Sequence, residues 1–182
     1  MKKILLLSHC ILNKASKVEQ DEKELQEEYL IRSELMKLIN EQDIQMIQLP
    51  CPEFLMYGAD RWGHVADQFD HPFFRKTCEE IFQPYLLQIK GYLKHPDRFC
   101  ILGIVSVEGS PSCGWNLTCT GEWRGELSDI DAVKKKVATL EMKQKPGVFM
   151  EEISSMLEKE GIKVPIYSMQ EAIDIIKEHG GK

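Results

Sequence analysis

The sequence predicts an α/β fold, a single domain over residues 1–182 with a mostly parallel sheet and helices on both faces. Three observations predict it. Apolar runs alternate with amphipathic helical stretches, the βαβα rhythm of parallel strands joined by crossover helices. The first run, residues 3–8, is continuously apolar, as a strand covered on both faces is. No repeat, low-complexity tract or linker breaks the pattern, and 182 residues suit one domain of ~100–200 residues.

The elements follow in order. After the strand at 3–8 comes a charged helix over 21–40, with Leu25, Tyr29, Leu35, Leu38 and Ile39 as its apolar positions. Residues 44–49 read as the second strand. A helical region spans 72–93, where Pro84 is expected to start or kink a helix. Residues 99–107 form the third and most apolar strand. A short helical segment falls within 126–141, and 148–159 is an amphipathic helix closed by Gly161. Residues 164–168 give the fourth strand, and 169–179 a last helix stopped by Gly180 and Gly181. The whole is a Rossmann-like arrangement. Its longest stretch without a clear element is 113–127, and long loops in compact domains tend to be functional.

Charge and hydropathy exclude several classes. The formal charge is −6, from 23 Lys plus Arg against 29 Asp plus Glu. No nucleic-acid partner is expected, since backbone binding needs clustered cations. The basic run Lys134-Lys135-Lys136 reads as a solvated helix face. The opening Met1-Lys2-Lys3 and Ile4 to Leu7 imitate a signal peptide, but the apolar run stops at Ser8-His9, too early for one. No apolar segment approaches the ~20 residues of a membrane span. The protein is expected in the cytoplasm, where disulfides are disfavoured.

The six cysteines then need another use. Cys78, on a helix, and Cys100, inside the third strand, read as small buried hydrophobes. Cys119 shares a loop with Cys113, but their spacing is not that of a redox pair. Cys10, Cys51 and Cys113 each follow one of the first three strands. In a parallel sheet those strand ends share one edge, where open α/β sheets bind ligands. Thiolates there suit an iron–sulfur cluster or zinc. Three protein ligands leave one position open, the catalytic pattern.

Cys10 after the first strand, Cys51-Pro52-Glu53 and Ser110-Pro111-Ser112-Cys113-Gly114 resemble the DUF523 family, whose characterised activity is thiouracil desulfidase. The resemblance covers roughly the first two thirds of the chain. It implies a [4Fe–4S] cluster on Cys10, Cys51 and Cys113, with the fourth iron open to the sulfur of a small thiolated substrate. Sulfur then leaves without net redox change, and water supplies the oxygen. The chain departs from the family after Cys10, at Glu108-Gly109 and over residues 58–63, as a divergent branch would.

Glu53, two residues past a ligand, is the candidate for proton transfer. Ser110, where the resemblance implies a substrate contact, and Ser112 are candidates to bind substrate or the attacking water. His9, Asn13 and Ser16 flank Cys10, while Tyr57, Arg61, Trp62 and His64 form a polar–aromatic loop suited to a planar ring. Three alternatives stand beside this reading: a zinc hydrolase on the same thiols, a cluster protein that binds without turnover, and a thiol enzyme with Cys113 as nucleophile.

Overall fold

A computed structural model describes residues 1–179. The stop expected at Gly180 and Gly181 lies outside them. The described residues form six strands: β1 (Lys2–Leu7), β2 (Gln45–Gln48), β3 (Phe99–Val105), β4 (Thr118–Thr120), β5 (Glu141–Lys143) and β6 (Ile166–Tyr167). The α-helices are α1 (His9–Leu12), α2 (Glu22–Glu41), α3 (Pro52–Tyr57), α4 (Ala66–Phe69), α5 (Pro72–Leu93), α6 (Ile130–Val137), α7 (Val148–Lys159) and α8 (Met169–His179).

Four strands make one parallel sheet in the order β2-β1-β3-β6. The chain steps from β1 to β2 on one side, then returns to place β3 on the other. That reversal opens a crevice at the carboxyl ends of β1 and β3. Successive side chains of β1 feed opposite faces. Leu6 packs with Phe74 and Phe82 of α5 and Phe149 and Ile153 of α7. Leu5 and Leu7 pack with Leu35 and Ile39 of α2 and Ile173 and Ile176 of α8. Both faces are therefore covered, and the unbroken apolar run of β1 has its physical reason. β6 sits close against β3 because Gly103 has no side chain; a Cβ there would lie 2.7 Å from the Tyr167 ring.

Three expectations need correction. Pro84 starts no helix: α5 runs unbroken through it. Pro84 and Glu80, whose carbonyl loses its partner, are both exposed, so water satisfies that group. Cys100 is half-buried rather than enclosed, because its strand is only partly covered before Gly103. The 113–127 stretch is not all loop: β4 lies in it and pairs antiparallel with β5 as a second, two-stranded sheet. Among the described residues, no helix is long and apolar enough to cross a membrane.

Candidate functional site

The end of β1 is fixed before the first cysteine. Ser8 donates its hydroxyl to the Val105 carbonyl at 2.9 Å, tying β1 to β3. Cys10 follows in α1. Cys51 is the N-cap of α3, its Sγ accepting from the Phe54 amide at 3.3 Å, with Pro52 in the first turn. Proline suits that turn because its missing N–H would be unpaired there anyway.

Cys113 sits in a tightly built turn after β3. Ser110 Oγ accepts from the Cys113 amide at 3.0 Å, and Val107 N–H donates to the Cys113 carbonyl at 3.0 Å. Gly109 turns the chain at φ +79°, and a Cβ on Gly114 would lie 2.1 Å from the Leu117 carbonyl. The turn then caps α7. Gly147 N–H donates to Gly114 O, Val148 to Pro111 O, and Phe149 and Met150 to Ser112 O, all within 3.1 Å. These amides have no partner inside the helix, so the turn satisfies the valences a side-chain cap would otherwise meet.

Cys10, Cys51 and Cys113 line one cavity of about 440 Å³, with Glu53, Ser110 and Ser112 in the same wall. Burial pushes the Cys10 thiol up to about 12, against the pull of Lys17. It also raises Cys51, against the Phe54 amide. Cys113 stands well above the usual thiol range through burial, with the charges of Cys51 and Cys10 adding to it. All three are therefore neutral thiols at neutral pH, and each proton must leave when a metal binds.

Glu53 is buried and held from two sides. Ser112 donates its hydroxyl to Glu53 Oε1 at 2.5 Å. Arg61 Nε reaches Oε2 at 3.5 Å, while its Nη2 donates to Ser16 O at 2.7 Å and its Nη1 to Gly58 O at 3.2 Å. Arg61 thus lines the cavity while serving as Glu53's partner. Ser112 is fully enclosed with its proton committed to Glu53, whereas Ser110 is only half-buried.

The flanking residues divide. Ser16, Trp62 and His64 line the cavity. His9 faces a separate groove with Phe54 and Tyr85. Asn13 caps a short 3-10 turn, accepting from Ala15 N–H at 3.2 Å. Tyr57 stacks on His64 at 4.8 Å and on Phe69 at 6.0 Å, behind the wall. Burial lowers the His64 pKa.

Several wall residues went unassigned in the sequence. Cys119, Trp123, Leu140 and Met142 complete the cavity from the β4–β5 side. Glu108 breaks the resemblance for a structural reason. Its carboxylate accepts from Ser106 Oγ at 2.9 Å and from the amides of Asn116 at 3.1 Å and Leu117 at 2.6 Å, shaping the turn past Cys113.

This chain is similar to the uncharacterized protein MJ0003 of Methanocaldococcus jannaschii, at 30% identity over 112 residues, 62% of this chain and 67% of that one. The two are distant homologues, and the chain belongs to that protein's family. No family model and no solved structure matches.

Proposed function

We propose that the protein holds a [4Fe–4S] cluster on Cys10, Cys51 and Cys113 and removes the sulfur of a small thiocarbonyl compound, such as a thiolated nucleobase. The observation that carries this reading is the convergence of three thiols from three strand ends on one cavity that also contains Glu53 and Ser110. The DUF523-like motifs that supply these residues point the same way. Among the described residues, no three His, Cys, Asp or Glu side chains are placed to hold a metal ion. Zinc needs its thiolates gathered at about 2.3 Å around one centre. A cluster spreads its thiolates over several irons, and anaerobic reconstitution tells the two metals apart.

When bound, the cluster supplies an open iron, a soft Lewis acid toward sulfur. The protein's own residues supply the rest. Glu53 takes a proton from water as its oxygen attacks the thiocarbonyl carbon. Carbon–sulfur cleavage then gives a carbonyl and hydrogen sulfide, with the protons coming from that water and no electron gained or lost. Arg61 and Ser112 hold the carboxylate at the wall, and Ser110 offers its hydroxyl to the substrate. Trp62 and Trp123 provide flat surface at the cavity for a planar ring.

The test is iron and acid-labile sulfide per chain after anaerobic reconstitution, with a visible spectrum. About four of each is expected. Cys10→Ala, Cys51→Ala and Cys113→Ala should lose them, and Cys78→Ala and Cys100→Ala should keep them. Glu53→Gln should keep the cluster but lose roughly 10²-fold or more in sulfide release from a thiolated base. No iron after reconstitution would overturn the cluster; a full cluster with no sulfide release would leave a binding protein.

A further inference from the structure

β5 pairs only with β4 among the described residues, so its outer edge carries unpaired backbone groups. All three of its residues are exposed, Met142 by 61%. The segment leading into it is equally uncovered. α6 buries none of its residues, and Ile130 (70%), Val137 (49%) and Leu140 (40%) stand in solvent.

Edge strands are commonly guarded against pairing by shortness, charged side chains, proline or bulges, so whether this short one pairs turns on how its charges would meet a partner's. β5 carries one charge of each sign, set symmetrically about an apolar residue: Glu141-Met142-Lys143. Reversing the direction of this strand turns it into its own charge complement. In an antiparallel pair centred on Met142, Glu141 lies opposite the partner's Lys143, and Lys143 opposite the partner's Glu141. The two methionines meet each other on the other face. A parallel in-register pair would instead set carboxylate against carboxylate and ammonium against ammonium, which is unfavourable. Within one chain Lys143 Nζ already lies 2.8 Å from Glu141. The antiparallel pair gives each ammonium a second carboxylate.

We infer that two copies of this chain associate through β5, antiparallel about a two-fold axis at Met142, extending the β4–β5 ribbon to four strands. The contact is isologous and closes on itself, so it gives a dimer rather than a filament. Leu140 and Met142 also line the cavity. The second copy therefore lays its strand alongside that wall, in the plane of the ribbon. The inference stands on β5 alone and does not depend on the chemistry proposed for the cysteines.

The experiment is sedimentation velocity across a dilution series at low salt, with circular dichroism to verify the fold of each variant. Wild type should show a concentration-dependent monomer–dimer equilibrium. Lys143→Glu sets like charges opposite each other and should raise the dissociation constant about tenfold or more. The double variant Glu141→Lys/Lys143→Glu restores complementarity in mirror image and should return to within about threefold of wild type. Mixing Glu141→Lys chains with Lys143→Glu chains should give a mixed dimer tighter than either alone. A wild type that stays monomeric at every concentration overturns the inference. So does a dimer indifferent to Lys143→Glu, or one that the double variant does not rescue.

Discussion

Ser112 shows how much one hydroxyl does at this site. Its proton goes to Glu53 at 2.5 Å, and its carbonyl receives two amides of α7. Removing the hydroxyl leaves a buried carboxylate oxygen without its donor, which costs about 1–3 kcal/mol. Ser112→Ala should therefore lower the urea midpoint by that free energy divided by the slope, with the slope itself unchanged, since only the side-chain bond is lost. The cysteines were legible from sequence because strand ends announce themselves. Arg61's role was not: its link to Glu53 crosses a turn at Gly58 with φ +73°, and no spacing rule reports such a reach. Glu108 misled in the opposite sense, since a carboxylate caps backbone amides wherever a loop needs it, regardless of any site.

At the scale of elements, long amphipathic segments were read well and short ones were not. α5 and α7 have the expected limits because each repeats its apolar face over three turns or more. β4 and β5, three residues each, are too short to show a period, so the wall bearing Cys119 and Met142 passed as loop. The joint between α7 and the Cys113 turn depends on a single small residue. A Cβ on Gly147 would lie 2.7 Å from the Ser112 carbonyl, and that backbone cannot yield. Gly147→Ala should cost roughly 1–3 kcal/mol of overpacking. It should also lower iron retention after reconstitution, whereas Gly91→Ala, whose added methyl meets nothing, should leave iron content intact.

For the whole molecule, the sequence contains the layers but not the strand order. A crossover helix reads the same whichever side of β1 it returns to, so β2-β1-β3-β6 follows from packing rather than from pattern. Within one helical layer, Arg75 of α5 ties the two helices together, meeting Asp70 at 2.8 Å and Glu151 and Glu152 of α7 at 2.7 and 2.5 Å. The Arg75 hydrogen bond holds the Asp70 carboxyl below its ordinary pKa. A carboxyl depressed in the folded state adds stability above its unfolded pKa and loses it as pH falls through the folded one. Asp70→Asn should thus be less stable than wild type near neutrality, by about 0.5 kcal/mol for so exposed a pair. Thermal unfolding should show that gap closing below about pH 4.

The capping of α7 by the Cys113 turn has a consequence for how the protein loosens. The first amides of the helix take their acceptors from that turn, at Gly114, Pro111 and Ser112. Fraying of that helix end and slackening of the Cys113 turn are therefore coupled. Warming that frays this helix end is expected to loosen the Cys113 side of the cavity with it, and a cluster held there as proposed should lose its colour on heating before far-UV ellipticity is lost.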